Sequence, residues 1–426
     1  MSCYKCKYYN WEEPQEVVWS DLNGQEYCVF HAPTDHKGVS EADFVALVTK
    51  HLEMAINQNY LVCNLAGTIF CGPINFPDQI LPKLDLRDTS FEGRVLFKGC
   101  NFDLLNLNDA SFEDRVAFID CDFNGRVAFG GCTFVSDVSF DGSSFLKGAA
   151  FISTKFMGDA YFNETRFLNG LWFTDVLFFG KVCFVDSEFA YGRFWKVIAD
   201  APVIFRYCRY TAENYIDFVD IDLFWFDFLS TNLENIRFTG CCWPIDNERY
   251  CIQHERENVQ LPEVLDFYRR MKRKCKMEHN EYEASKWHIA EKEVQAKLLA
   301  NDRGSKFIRL MLWLYRKFSH FGESPLRAFR WLLIFISFVW LLLGMFGIEN
   351  GSVIIQGVGM PTWDNISNFG TVFITLFKNV MLFKLSSIEF HAQYGTVDGI
   401  VLIFTRLVIP LQATLFAFAL RNRFRR

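Results

Sequence analysis

The stretch VAFIDCDFNGRVAFGGCTFVSDVSFDGSSFLKGAAFISTKF (residues 116–156) sets a phenylalanine at every fifth or sixth position. These residues separate into two interleaved ladders with a period of eleven. One runs Phe123, Phe134, Phe145, Phe156, Phe167, Phe178, Phe189; the other runs Phe118, Phe129, Phe140, Phe151, Phe162, Phe173, Phe184. A small or branched residue stands two positions before each rung, such as Cys121, Cys132, Ser143 and Thr154 on the first ladder and Val116, Val127, Val138 and Ala149 on the second. In an extended chain residues i and i−2 point to the same side, so each phenylalanine and its small partner point inward together. A repeat this short is one face of a solenoid whose coils stack only on their neighbours. The phenylalanines therefore read as core rather than as a cofactor site. Glycine recurs two or three residues after many rungs, at Gly93, Gly99, Gly125, Gly131, Gly142, Gly148, Gly158, Gly170, Gly180 and Gly192. There a tight corner is expected to need positive φ.

This pattern resembles the pentapeptide-repeat family, in the variant with alternating five- and six-residue steps. The resemblance implies a mainly β fold, a right-handed quadrilateral β-helix, over about residues 65–243. The opening rungs are Leu65, Phe70, Phe76, Leu81, Leu86 and Phe91, and the register blurs between Phe194 and Phe228. Two ladder periods per coil give about eight coils, a rod of roughly 40 Å at ~4.8 Å per coil.

The chain has 426 residues, half of them hydrophobic, and exceeds one domain. Its net charge of −6 is unevenly spread. Residues 65–245 hold 24 acidic and 15 basic residues, a net of −9, whereas residues 303–330 hold seven basic residues and one acidic, Glu323. Among fourteen cysteines, Cys100, Cys121 and Cys132 occupy the small inward slot, so a disulfide framework is not the expectation. The polar, cysteine-bearing N-terminus lacks the make-up of a signal peptide, and a reducing, cytoplasmic setting is expected for the N-terminal half.

Residues 1–60 form a separate N-terminal module. Cys3-x2-Cys6 is followed, after twenty-one intervening residues, by Cys28-x2-His31. Two close ligand pairs about twenty residues apart have zinc-ribbon-like or treble-clef spacing. Cys3, Cys6, Cys28 and His31 would make a closed structural Zn²⁺ site, with His36 able to take the place of His31.

Residues 259–320 read as a helical hairpin followed by an interfacial helix. Leu261–Leu299 gives two helices; the basic run Arg269, Arg270, Lys272, Arg273, Lys274, Lys276 suits anionic lipid headgroups better than nucleic acid. KFIRLMLWLYRKF (306–318) has the mix of basic, aromatic and aliphatic residues of a helix lying in the membrane interface. Residues 325–426 form a two-helix transmembrane module with spans at about 331–348 and 399–420. Arg327 and Arg330 precede the first span; Arg421, Arg423, Arg425 and Arg426 follow the second. The positive-inside rule then puts both termini in the cytoplasm, as for a multi-pass protein of the plasma (inner) membrane.

Between the spans, Ile366–Leu385 is apolar but carries Lys378 and Lys384, a re-entrant or interfacial segment. Span, short segment, span resembles two-span ion-channel modules, yet no glycine-rich filter follows, so potassium selectivity is not expected. Arg406 and Gln412 flank Pro410 inside the second span and are candidates for a pore lining or for intramembrane contacts. Three stretches, FYRRMKRKCKMEHNEYEAS, LYRKFSHFGESPLRAFRW and FALRNRFRR, resemble the tail of membrane-attached pentapeptide-repeat proteins. Together these features point to a membrane-anchored scaffold or sensor rather than an enzyme. The solenoid would meet an unidentified protein partner, and the spans would pair into a homo-oligomer that forms a channel-like pore. Two alternatives remain: an acidic DNA mimic acting on a topoisomerase, which a membrane tether disfavours, and a purely structural, membrane-tethered binding module.

Overall fold

The computed structural model describes residues 3–11, 15–57, 62–77, 80–81, 83–211, 215–300, 306–350, 353–356, 367, 369–373 and 395–424. Its contacts divide the chain into two units, residues 1–270 and 271–426.

The first unit is built on a four-sided β-helix. Short parallel strands form stacked sheets of seven, nine, seven and eight strands, most of them in register with the strand 21 or 22 residues away and those near the C-terminal end with one 20 to 24 away. The two eleven-residue ladders therefore resolve into four ring stacks with twice that period, because successive rungs of one ladder lie on different sheets. Phe123 stacks on Phe145 at 4.5 Å, Phe129 on Phe151 at 4.6 Å, Phe118 on Phe140 at 5.1 Å and Phe112 on Phe134 at 4.9 Å, all with nearly parallel rings. Rings of adjacent faces meet edge to face, as Phe129 and Phe140 do. Both arrangements suit the aromatic quadrupole.

The small inward slot is polar on one ladder for a reason. The Thr154 hydroxyl donates to the Phe129 carbonyl at 2.6 Å, Ser143 to Phe118 at 2.9 Å, Thr165 to Phe140 at 2.9 Å, and the Cys132 thiol to the Leu107 carbonyl at 2.9 Å. Each donor reaches a carbonyl 25 residues back, so a buried polar atom is satisfied by the neighbouring coil. None of the fourteen cysteines is in a disulfide.

The corner expectation needs correction. The left-handed backbone position recurs every ten or eleven residues, immediately before the small slot of the first ladder. Its occupants include Asp88, Gly99, Asp109, Asp120, Gly131, Gly142, Ser153, Glu164, Asp175 and Asp186. Aspartate, which tolerates this region, serves as often as glycine. Gly93, Gly125, Gly158, Gly180 and Gly192 do not have positive φ. They are needed because coils approach closely: a Cβ on Gly125 would stand 1.8 Å from the Asp103 carbonyl oxygen.

Both ends of this solenoid are covered. At the start, the helix Glu41–Asn57 buries Phe44 against Phe70, and the Ile69 amide donates to the Phe30 carbonyl. At the far end, Trp243 packs edge-on against Phe228 and Phe238 and tilts onto Phe267. Beside it, buried Arg249 makes a two-pronged pair with Glu255 at 2.6 and 2.8 Å, and the Tyr268 hydroxyl donates to the same carboxylate at 2.7 Å. Arg270 donates to the Leu229 and Thr231 carbonyls.

In the chain that follows, helices Leu261–Met277 and Glu281–Ala300 form as expected. The basic run is not a uniformly solvated face, however. Besides Arg270, Lys272 pairs with Glu291, and Lys274 with Glu278 at 3.0 Å. Helix Lys306–Ser319 leaves Phe307, Ile308, Leu310 and Trp313 exposed. Among the described residues, two helices are long and apolar enough to cross a membrane, Pro325–Phe346 and Gly399–Phe424. The first ends before Gly347–Asn350, which pairs as an antiparallel hairpin with Val353–Gln356. Leu332, Ile336, Val339 and Leu343 pack against Val372, Val401 and Ile409. The second helix has a π turn at Phe404–Val408, which ends two residues before Pro410. A proline lacks the amide that would continue the ladder, so the turn widens there.

Truncating an inner rung, Phe151→Ala, is expected to lower stability by about 3–5 kcal/mol through lost burial and a cavity. Lys155→Ala, on the outward side, should change it by less than about 0.5 kcal/mol. Urea melts followed by the β-sheet circular dichroism signal measure both, and equal effects would contradict the inward assignment.

Burial pushes the Cys132 thiol up to about 12, from an ordinary 9.0. The folded chain thus keeps this proton between about 9 and 12 while the unfolded chain releases it, so this contribution is present below 9 and is lost as pH rises through that window. Cys132→Ser, which places there the residue found at Ser143 and Ser187, should remove up to about 1.4 kcal/mol of alkaline destabilisation per pH unit. Parallel melts at pH 8 and pH 10.5 show whether the variant is the less alkali-sensitive protein.

Candidate metal centre

Local backbone brings the N-terminal ligand pairs together. Cys3 caps the short helix Tyr4–Tyr8, which carries Cys6 on its inner side. Cys28 ends the strand Glu26–Cys28, paired with Val17–Ser20, and the chain then turns so tightly that the His31 and Ala32 amides both donate to the Cys28 carbonyl. The spacing of two residues within each pair thus comes from a helical turn in one case and a tight turn in the other.

The four side chains are buried, and their ligand atoms all lie within 4.8 Å of one another. Nδ1 of His31 stands 3.3 Å from Cys3 Sγ, 3.6 Å from Cys6 Sγ and 3.2 Å from Cys28 Sγ. Cys6 and Cys28 sulfurs are 3.7 Å apart. On the far side of the ring, Nε2 lies 3.0 Å from the Ala66 carbonyl oxygen, to which it donates. That bond fixes the tautomer and turns the Nδ1 lone pair toward the sulfurs, as a carbonyl behind a metal-bound histidine does. The Trp11 indole donates to the same carbonyl at 3.3 Å, and its ring meets the imidazole edge-on at 4.9 Å.

The electrostatics suit a cation. Hydrogen bonds with Cys28 and Cys6 hold the Cys3 thiol far below its ordinary range, while contacts with Cys28 and Cys3 push Cys6 far above it. Burial opposes charge on His31, but the sulfurs of Cys28 and Cys3 outweigh it and push the imidazole up to about 9. A bound cation would replace these shared protons with its own charge. Three sulfurs and one imidazole nitrogen, backed by a carbonyl, can hold one metal ion with no open position for a substrate. His36 is not part of this group; it stacks on Trp19 at 5.1 Å.

The site is also a joint, since it abuts Ala66, in the first solenoid coil, whose neighbour Asn64 donates to the Tyr9 carbonyl. The family model described as pentapeptide repeats, in nine copies, matches residues 97–144, the regular middle of that solenoid. Residues 97–144 are pentapeptide repeats. Comparison with curated proteins finds no match, and neither does comparison with solved structures. The cysteine–histidine group thus plugs the N-terminal end of the solenoid that carries these repeats. The parts that sequence reasoning missed are Trp11 and the Ala66 carbonyl; a backbone oxygen carries no sequence signal, and Trp11 reads as ordinary core.

The other named residues are dispersed. Gln412 is buried in the helical unit, where its amide donates to the Ala328 carbonyl at 2.8 Å and the Phe318 carbonyl at 3.3 Å. Arg406 lies exposed in the π turn. Lys378 lies outside the described residues.

Elemental analysis of the purified chain is expected to give about one metal ion per chain, and Cys28→Ser or His31→Ala should abolish it. A metal-free protein that keeps its N-terminal fold would rule the site out.

Proposed function

We propose that this protein is a membrane-tethered interaction scaffold whose N-terminal cap is locked by zinc. The observation that carries this reading is the disposition of apolar side chains. Inside the solenoid they are stacked rings that fill the bore, which leaves its outer surface as the part able to meet a partner. On the helical unit they point outward: Leu326, Leu333, Ile334 and Phe338 on one candidate span, Leu407, Leu411 and Phe418 on the other. Such exposed apolar faces, around a packed helical core, suit lipid contact. The basic residues before the first span and after the second support a topology with both ends on the cytoplasmic face of the plasma membrane. Zinc is the metal that three thiolates and one imidazole favour in a closed tetrahedral site.

An oligomeric pore is the second reading. Arg406 favours it, because an arginine exposed on an apolar helix meets hydrocarbon at high energy. Gln412 does not, since its amide finds carbonyls within its own chain.

The chain is expected to stay in the membrane fraction through alkaline carbonate washing, with reporters at both termini reading cytoplasmic and a tag near Gly357 reading external. Release by carbonate would exclude the tether. A single protomer in native nanodiscs would exclude the pore and leave the scaffold.

A further inference from the structure

One face of the solenoid is interrupted, and the interruption makes a cavity. The stack Phe70, Phe91, Phe112, Phe134, Phe156, Phe178 supplies a ring to each coil of that face. The next rung is Ala199, which pairs with Phe178 in register but brings only a methyl group. The strand Ile198–Ala199 is the last of its sheet among the described residues. On the following coil the chain crosses this face at Asp222, 24 residues after Ile198, and bridges to Cys242 rather than back to Ile198–Ala199. A small rung and a lengthened coil thus leave one inter-coil pairing unmade.

The result is a cavity of about 650 Å³, within the range of ligand sites. Leu177, Val197, Ala199 and Trp225 line it, and Ile198 beside them is 59% exposed. Trp225 is braced edge-on by Phe224 at 5.0 Å. The charge around this apolar floor is lopsided. Asp175, Asp200, Asp220 and Asp222 contribute carboxylates, and the cation lining it, Lys196, lies 4.9 Å over the Trp195 ring. Asp220 accepts from the Trp195 indole at 3.4 Å, while Asp200 and Asp222 are exposed.

We propose that this cavity binds an extended basic peptide from a partner protein. One aromatic or branched side chain of the peptide enters the slot left open by Ala199, its backbone runs along the unpaired edge of Ile198–Ala199, and a flanking lysine or arginine meets Asp200 and Asp222. Strand addition at an open edge, with pockets for alternate side chains, is the mode this geometry favours. The charge complement selects a basic partner over an acidic one. The inference rests on the scaffold reading, and it locates the docking site on the scaffold.

The test uses the full chain in detergent micelles and the blocked hexapeptide threonine-arginine-phenylalanine-lysine-valine-serine, followed by calorimetry and Trp fluorescence. Saturable binding is expected. Exchanging the arginine and lysine of the peptide for glutamine should weaken it at least about fivefold, and Asp200→Asn with Asp222→Asn should weaken it about three- to tenfold. Ala199→Phe, which refills the rung, should abolish it; the paired aspartate variants, exposed and conservative, provide the check if Ala199→Phe fails to fold. No saturation at millimolar peptide, or binding indifferent to both sets of variants, overturns the proposal. Tetramethylammonium binding as tightly as the hexapeptide would make this a small-cation site and overturn it likewise. Peptide binding by a chain that carbonate releases from membranes would support the pocket and sink the tether. A membrane-held chain that binds no peptide would do the reverse.

Discussion

Each coil of the solenoid offers its bore one ring and one small side chain per face, and the coil above must offer the same at the same height. Everything else in the first unit follows from that stacking. Rings about 5 Å apart leave no room for a missing or extra residue without a visible defect, because the strands are two to four residues long and hydrogen-bond only to adjacent coils. The close spacing also explains the glycines. At Gly125 a side chain would occupy the position of the Asp103 carbonyl oxygen, so the constraint is set by the coil below and not by the local turn. Such a linear array has open ends by construction, and this chain closes them with different chemistry: a thiolate–imidazole group at one end, and a buried Arg249–Glu255–Tyr268 network with Trp243 at the other.

Much of this was legible in the residues, for a physical reason: solenoid contacts between coils repeat at a fixed separation, so spatial neighbours show up as a period. The phenylalanine stacks, the inward slot and the interruption after Phe194 could all be read that way. The Cys3, Cys6, Cys28, His31 quartet was legible because ligand chemistry restricts residue types, and the two apolar helices because membrane thickness fixes a length. What stayed hidden depends on pairings with no period. The expectation of positive φ at glycine was half right, since Asp120, Asp175 and Asp186 hold that conformation elsewhere in the repeat. Gln412 read as a residue in search of a neighbouring subunit, whereas the chain folds Phe318 and Ala328 carbonyls onto it. The basic run after Arg269 read as a lipid-facing stripe, yet Arg270 reaches the solenoid's own Leu229 and Thr231 carbonyls.

The polar members of the inward slot illustrate how specificity and stability are divided. A ring stack alone tolerates sliding, since one phenylalanine resembles the next. The Thr154, Ser143 and Thr165 hydroxyls do not, because each donates to one particular carbonyl of the neighbouring coil, 25 residues back. Register is therefore set by a few buried hydrogen bonds, while most of the free energy comes from burying rings.

The twofold relation between ladder and coil also restricts how such a chain can change length. An insertion of 22 residues adds one whole coil and leaves every ring above its predecessor. An insertion of eleven keeps the written pattern of small residue and phenylalanine unbroken, yet it turns everything after it by half a revolution about the axis. Trp243 and Arg270 would turn together with the rings and carbonyls they meet, so the C-terminal cap would stay intact but face the other way relative to the N-terminal cap. The sequence period thus keeps the stack intact at every half coil, whereas only a full coil also keeps the two caps facing as they do now.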